Sequence, residues 1–435
     1  MAGSTADLLS DKRMGATQII AIALCVLLTA LDGFDVLSIS FASPGISEEW
    51  NVSRGALGII LSMELIGMAI GSVLLGQVAD RIGRRPVIFI CLVVMAAGMY
   101  AASLANGITE LSAYRFGTGL GIGGMLACTN AMVAELSNDK YRKMNVILMA
   151  AGYPFGAIVG GAISAQLLAH FDWRSVFIFG AICTAALLPA VYFFIPESIS
   201  SLVSRRPDGA LEKVNTILKR MGHETLERLP EIDANAAKMG ISRLLSGPLL
   251  RVTLLLTLAY FAHVMTFYYI LKWIPKMVVD MGYDPSSAGN VLVWANVGGA
   301  TGAVLLGLLT QKFNVRWLMM GAMFGAFLMV SYFGSGHADL KSLSMVSAVA
   351  GFFTNSAIVG MFALAASYFP SEVRAGGTGF VLGMGRGGSA LGPIVAGYLF
   401  QSGQSLQLVS ILMAAGSLVA LIALILLGRE RVSER

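Results

Sequence analysis

Runs of about 20 apolar residues recur along this chain of 435 residues, and they limit its fold more than any other feature. One such run is long enough for a helix that crosses a bilayer. Strands of a membrane β-barrel alternate apolar and polar residues over about 10 positions, whereas these runs are continuous. The sequence therefore predicts an all-α membrane protein of twelve transmembrane helices. We place the spans at residues 17–40, 55–79, 86–105, 109–134, 144–169, 173–195, 249–275, 286–310, 316–334, 341–368, 377–400 and 405–428.

Charged residues make up only 13% of the chain, about half of their share in soluble domains. This deficit excludes a soluble enzyme. Lysines and arginines concentrate in the loops on the side of the predicted spans that holds both termini, and such a bias marks the cytoplasmic side. We therefore expect both termini in the cytoplasm. The net charge of +5 reflects this topology and calls for no nucleic-acid partner.

A polar stretch separates six spans from six. We accordingly divide the chain into an N-terminal half (1–195), a cytoplasmic linker (196–248) and a C-terminal half (249–435). Apolar residues recur at helical spacing in the linker, which predicts a short amphipathic helix lying on the membrane or on the bundle. These residues are Leu211, Val214, Leu218 and Met221. The cysteines all fall inside predicted spans, where we expect packing roles and neither disulfides nor a metal site; they are Cys25, Cys91, Cys128 and Cys183.

The two halves have the pattern of a repeat. The offset 307 − 76 = 231 aligns the loop that begins near Gly76 with the one that begins near Gly307, and it also takes Gly161 to Gly392. Transporters are often built from such repeats, with a binding site near the middle of the membrane. The pattern predicts two pseudo-symmetric six-helix halves that work by alternating access.

The loop from Gly76 to Pro86 reads GQVADRIGRRP and resembles the signature G-x-x-x-D-R/K-x-G-R-R/K of the major facilitator superfamily. Other stretches are similar to the aromatic acid/proton symporter family within it: Asp32-Gly33-Phe34-Asp35, Arg115-Phe116 with Thr118–Gly121, Ser371–Ala375, Gly385-Arg386-Gly387 and Gly392-Pro393. The resemblance implies the major facilitator fold and proton-coupled transport in the bacterial inner membrane. It implies no cofactor, the proton being the coupling ion. Gly387-Gly388 departs from the family, which carries a larger apolar residue there, and this difference could widen the pocket.

Asp32 and Asp35 are spaced by three residues, so they share one face of a helix inside the bilayer. Two carboxylates so close together cannot both ionise cheaply in a low dielectric, and at least one is expected to hold a proton. The resemblance implies that this pair couples transport to protons. A purely structural pair, balanced by Arg115, is the alternative.

Two arginines inside predicted spans suit an anionic substrate. Arg115 is expected to meet the aspartates, and we interpret it as switching between an aspartate and the substrate carboxylate, with a permanent salt bridge as the alternative. Arg386 lies in the other half near mid-membrane, where it is expected to bind the substrate or to pair with Glu64. Glu64 itself pairs with an arginine or belongs to the proton path, and the sequence does not distinguish between these two roles.

The repeat offset adds one more candidate, because 32 + 231 = 263 places His263 at the position related to Asp32. Histidine changes charge between about pH 5 and 8. His263 is therefore a candidate proton relay or substrate ligand, against the alternative of a packed, neutral histidine.

Aromatic side chains in spans expected to face the cavity could stack on a ring-shaped substrate. They are Phe34, Tyr153, Tyr268, Tyr269 and Trp294. The alternative for each is helix packing. The resemblance further implies that Asp80, Arg81 and Arg85 gate the cytoplasmic side, with simple topology anchoring as the alternative for the two arginines.

These observations predict a monomeric proton-coupled importer of small aromatic carboxylates, benzoate-like or hydroxylated. An importer of non-aromatic organic acids and a proton-exchange exporter are the alternatives, although mid-membrane arginines disfavour cationic drugs. A receptor without transport is a further class, but the only sizeable polar segment is the linker. No motif combines a nucleophile, a base and an orienting group, so an enzyme is not expected.

Overall fold

The computed structural model describes residues 14–230, 244–245, 247–336, 339–370 and 373–428. Within these ranges the chain forms fourteen helices. They are α1 (Ala16–Glu49), α2 (Arg54–Ile82), α3 (Arg84–Ser103), α4 (Ile108–Leu136), α5 (Asp139–His170), α6 (Arg174–Phe194), α7 (Ile199–Arg205), α8 (Ala210–Met221), α9 (Gly247–Asp280), α10 (Pro285–Leu309), α11 (Val315–Phe333), α12 (Leu340–Tyr368), α13 (Arg374–Gln401) and α14 (Leu406–Leu427). We call α1–α6 the N half and α9–α14 the C half. Ser371 and Glu372 of the predicted motif lie outside the described residues.

The twelve long helices coincide with the twelve predicted spans. Eleven of those in the described ranges are long and apolar enough to cross a membrane. The twelfth, α13, has 28 residues and therefore the necessary length. Its many glycines and Arg386 lower its hydropathy. The predicted all-α membrane fold is confirmed.

Helix boundaries repeat between the halves with the predicted offset. The start of α9 follows the start of α1 by 247 − 16 = 231 residues, and their ends differ by 280 − 49 = 231. The packing repeats too, because α1 packs on α5 as α9 packs on α13, and α2 packs on α4 as α10 packs on α12. The two halves are thus two copies of one six-helix arrangement.

The halves touch mainly along two helix pairs, α2 with α13 and α5 with α10. We call the side of the bundle that holds Asp280 the far side. There the backbones of α2 and α13 are in contact, since a Cβ atom added to Gly397 would lie 3.1 Å from the Cα atom of Gly58. Arg54 of α2 also forms a salt bridge of 3.0 Å with Asp280 of α9. The halves are therefore joined on the far side.

The same helix pairs diverge on the opposite side, which holds α7 and α8 and which we call the linker side. A Cβ atom added to Gly76 of α2, or to Gly379 and Gly383 of α13, would meet no other heavy atom within 4 Å. Gly307, near the end of α10, is equally open. The cleft between the halves is thus closed on the far side and open on the linker side.

The linker contains the predicted amphipathic helix as α8. It buries Val214, Leu218 and Met221 against the N half, so it lies on the bundle. The short helix α7 was not predicted. The cysteines are free thiols; Cys25, Cys91 and Cys128 are buried and Cys183 is half-buried, as the packing interpretation requires.

Candidate functional site

A buried ion pair joins Arg115 of α4 to Glu64 of α2, and neither side chain has any exposed surface. The guanidinium also donates a hydrogen bond of 2.8 Å to the backbone carbonyl of Asp35, and it lies 5.4 Å from the centre of the Phe177 ring. The expected partner of Arg115 was an aspartate side chain. The structure instead gives it Glu64 as its ion-pair partner, and its hydrogen bond to Asp35 is to the main chain. This geometry matches the permanent salt bridge that the sequence left as an alternative.

Asp32 and Asp35 lie near the middle of α1, fully buried. Among the described residues none forms a hydrogen bond with their four carboxylate oxygens. They interact electrostatically with Glu64, and Asp35 also with Arg115. Ionised carboxylates without hydrogen-bond partners are costly in an apolar interior. The pair is therefore suited to carrying protons.

Lys272 of α9 completes this cluster, although the sequence analysis did not identify it. Its ammonium lies 3.7 Å from a Glu64 carboxylate oxygen and donates a hydrogen bond to the backbone carbonyl of Val36. The side chain has no exposed surface. Lys272 lies only 275 − 272 = 3 residues from the end of its predicted span, and lysines there usually reach the membrane surface. Because α9 continues to Asp280, the lysine lies deeper than the predicted boundary implied.

Arg386 lies at mid-depth, where α2 and α13 begin to diverge. It is half-buried, and its guanidinium is 3.4 Å from the backbone carbonyl of Met68 on α2. The side chains of Tyr153 and Tyr268 interact with each other across the halves, and Tyr268 also interacts with Arg386 and Glu64. These residues bring a cation and two phenol rings together at the centre of the bundle.

The other predicted aromatic residues lie elsewhere. Phe34 is buried inside the N half, 5.3 Å from Phe179 in an edge-on ring contact, and Tyr269 is buried in the C half with its hydroxyl 2.7 Å from that of Ser410. Trp294 is 52% exposed. It lies about 200° around α10 from the buried Asn296, so it faces away from the packed side of that helix. The sequence correctly placed all three residues inside transmembrane helices. Which face of its helix each residue occupies relative to the cavity depends on helix packing, which a single sequence does not show.

His263 is buried within the C half, and both of its ring nitrogens are occupied. One is 2.9 Å from the hydroxyl of Ser417 on α14, and the other is 2.9 Å from the backbone carbonyl of Thr354 on α12. A neutral ring satisfies both contacts by accepting from the hydroxyl and donating to the carbonyl. The position related to Asp32 thus has the geometry of the packed, neutral alternative.

In the loop between α2 and α3, Arg84 and Glu197 form contacts that the sequence did not predict. Arg84 forms a salt bridge of 2.6 Å with Glu135, and the carboxylate of Glu197 accepts from the backbone N–H groups at the start of α3. Arg85 contacts Tyr192. Asp80 and Arg81 are exposed, and the backbone carbonyl of Arg81 is 3.5 Å from the guanidinium of Arg205. The gating role of Asp80, Arg81 and Arg85 remains a prediction.

The family model of the Major Facilitator Superfamily matches residues 23–292 and 256–435. The chain belongs to the Major Facilitator Superfamily. It is a multi-pass membrane transporter and not an enzyme, as the sequence predicted.

Two curated relatives within this superfamily resemble the chain over almost its whole length. The gallate transporter of Pseudomonas putida is 29% identical over 98% of this chain and 95% of its own. The 4-hydroxybenzoate transporter PcaK of Acinetobacter baylyi is 27% identical over 96% of this chain and 92% of its own. These relatives agree with the predicted similarity to the aromatic acid/proton symporter family.

A solved structure shows the same fold. The xylose transporter XylE from E. coli, described as partially occluded and inward open, matches with a TM-score of 0.72 and 19% identity. The match covers 95% of this chain and 100% of the other. It confirms the predicted superfamily fold.

Proposed function

We propose that this protein is a proton-coupled importer of small aromatic carboxylates, such as benzoate or hydroxybenzoates. One observation carries the proposal: Arg386 of the C half lies at mid-depth beside the cleft, and Tyr268 interacts both with it and with Glu64 of the buried carboxylates in the N half. A guanidinium at the cleft attracts an anion, and carboxylates removed from water take up and release protons.

The substrate carboxylate binds Arg386, which is half-buried and lies where the cleft opens. Arg115 has no exposed surface and is held by Glu64, so we assign it to positioning that carboxylate and not to the substrate. Tyr153 and Tyr268 offer aromatic faces beside Arg386 for the ring of the substrate. Gallate and 4-hydroxybenzoate, named in the relatives, are hydroxylated aromatic carboxylates that suit this arrangement.

Asp32 and Asp35 carry the coupling proton, since their oxygens have no hydrogen-bond partner among the described residues and an added proton removes the cost of a buried charge. One proton that enters with one monoanion moves no net charge across the membrane. Accumulation of substrate then follows the pH gradient. Protons and the carboxylate are the only partners required, because one chain supplies both sides of the site.

The linker side faces the cytoplasm in this proposal, because the lysines and arginines of the loops are concentrated there. Both termini are then cytoplasmic, in the inner membrane of a bacterium. The open cleft is the cytoplasmic one, so this conformation corresponds to the stage at which substrate and proton leave the protein.

Uptake into proteoliposomes tests the proposal. Purified protein is reconstituted, a pH gradient is imposed, acid outside, and labelled benzoate, 4-hydroxybenzoate, gallate and aliphatic acids are offered with and without a protonophore. We expect accumulation of the aromatic acids that the protonophore abolishes. The Asp32→Asn variant is expected to accumulate at least about tenfold less.

Three results would overturn the assignment. Uptake that ignores the pH gradient would exclude proton coupling, and a preference for aliphatic acids would exclude an aromatic substrate. Export driven by the same gradient would reverse the direction and favour a proton-exchange exporter. A vesicle preparation without protein serves as the control for passive entry of the protonated acids.

A further inference from the structure

Lys272 belongs to the C half, but both of its polar contacts belong to the N half. The ammonium donates to the backbone carbonyl of Val36 on α1 and lies 3.7 Å from the carboxylate of Glu64 on α2. The side chain is fully buried, like that of Glu64. A charge of one half is therefore inserted into the interior of the other.

This contact lies on the closed side of the cleft. Lys272 precedes Asp280 by 280 − 272 = 8 residues, and Glu64 follows Arg54 by 64 − 54 = 10 residues. At a rise of 1.5 Å per residue, Lys272 and Glu64 therefore lie about 12 and 15 Å along their helices from the Arg54–Asp280 salt bridge, toward the middle of the bundle. A movement that opens the far side and separates Arg54 from Asp280 also withdraws Lys272 from Glu64.

The net charge of the cluster depends on the position of Lys272. Three carboxylates, Asp32, Asp35 and Glu64, face two cations, Arg115 and Lys272, so the fully ionised cluster has a net charge of 2 − 3 = −1. Without Lys272 the same count gives 1 − 3 = −2. A more negative cluster in a low dielectric binds a proton more strongly. The position of Lys272 therefore changes how tightly the carboxylates hold a proton.

Other titratable groups also interact with the cluster or lie beside it. They are Cys91 on α3, Cys183 on α6, Tyr153 on α5, Tyr268 on α9 and Arg386 on α13. Arg386 also belongs to the C half, but it lies at mid-depth near Met68, where α2 and α13 begin to diverge. Lys272 is the cation that enters the closed far side.

We propose that Lys272 is the positioning residue that drives proton release. When the far side closes, its ammonium moves against Glu64 and supplies the counter-charge, the O–H bond of a protonated carboxyl group in the cluster breaks, and the proton passes to water in the linker-side cleft. When the far side opens, the ammonium withdraws and the carboxylates take up a proton from that side. This inference rests on the proposed proton-coupled import.

The experiment separates two kinds of transport by the same reconstituted protein. Accumulation under a pH gradient requires proton release in every cycle. Counterflow, the exchange of labelled for unlabelled 4-hydroxybenzoate without a gradient, proceeds while the proton stays bound. Removal of the Lys272 charge should therefore block the first process and spare the second.

Lys272→Gln is the decisive variant, because its amide can still donate to the Val36 carbonyl while it carries no charge. We expect gradient-driven accumulation to fall at least about tenfold while counterflow stays within about threefold of wild type. Counterflow should also persist to higher pH than in wild type, because the cluster keeps its proton longer. Lys272→Arg restores the charge and should recover at least half of the accumulation.

The matched control is Lys276→Gln, one turn further along α9, whose ammonium binds Asp280 on its own helix at 2.6 Å. It should accumulate substrate like wild type. If Lys272→Gln aggregates on size exclusion, Lys272→Met takes its place under the same criteria.

Accumulation by Lys272→Gln at the wild-type level would overturn the inference. Loss of counterflow together with accumulation would also overturn it, because that result indicates a structural role alone. A wild-type protein that shows no gradient-dependent uptake would instead refute the proposed function, and the two failures are therefore distinct.

Discussion

The N half and the C half share one helix arrangement, yet their interiors differ in charge. In the N half, α1 carries Asp32, whose carboxylate oxygens have no hydrogen-bond partner among the described residues. At the related position in the C half, α9 carries His263, whose two ring nitrogens are both hydrogen-bonded. Glu64 and Arg115 add a buried ion pair to the N half.

This difference shows that the two copies of a duplicated fold can carry different functional groups. The N half holds the groups that can gain and lose protons, and the C half contributes cations, Lys272 and Arg386, that reach toward the other half. A charge that crosses the interface responds to rocking of the halves, whereas a group satisfied within one half does not. The following variants test that division.

Glu64→Ala should have the largest effect, because it leaves Arg115 and Lys272 buried without their shared counter-charge. Breaking a buried pair in this way costs about 3–5 kcal/mol of unfolding free energy. Unfolding in mixed micelles with increasing denaturing detergent measures the loss. Glu48→Ala, at an exposed position near the end of α1, is the control and should change the unfolding free energy by less than about 0.5 kcal/mol. Equal stability of Glu64→Ala and wild type would show that the N-half interior tolerates unpaired cations.

Arg386→Gln should have an intermediate effect that is confined to binding. A hydrogen bond to a charged group contributes about 1.5–3 kcal/mol, so the dissociation constant for 4-hydroxybenzoate should rise about ten- to a hundredfold. Titration calorimetry on purified protein measures it. Trp294→Leu, on the outside of α10, should bind like wild type. Unchanged affinity in Arg386→Gln would remove the C half from substrate recognition.

His263→Gln should have the smallest effect on coupling. Both ring nitrogens are satisfied within the C half, so the histidine has no free site for a travelling proton. The dependence of gradient-driven uptake on pH should keep its shape, with a rate within about twofold of wild type. A profile shifted by a full pH unit would mean that the two halves share the proton path after all.

Much of the fold was predictable from the sequence, because hydropathy and a fixed offset are properties of the chain itself. Hydropathy located the twelve long helices, and the offset of 231 recurs in the ends of α1 and α9. α13 was predicted from its apolar run, although its glycines and Arg386 lower its hydropathy. The short helix α7 escaped prediction because a few turns packed on the bundle leave little periodic pattern.

The site was less predictable, because partners depend on the face and depth of each helix. The sequence identified Asp32, Asp35 and Arg115 as buried charges, but it paired the arginine with an aspartate side chain where the structure has Glu64. Lys272 was missed because α9 continues five residues beyond the predicted boundary, from 275 to Asp280, and this extension places the lysine deep in the bundle. The direction in which each side chain faces on its helix likewise explains why Tyr268 lies at the centre of the bundle while Trp294 faces away from it.

The backbone contact between Gly58 and Gly397 carries a consequence for the energy balance of the two conformations. A methyl group on Gly58 would collide with the carbonyl of Pro393, so a larger residue there acts as a wedge that disfavours this conformation alone. Each 1.4 kcal/mol of such a penalty shifts the ratio of the two populations about tenfold. The absence of side chains at these two glycines thus favours the conformation whose cleft is open to the linker side.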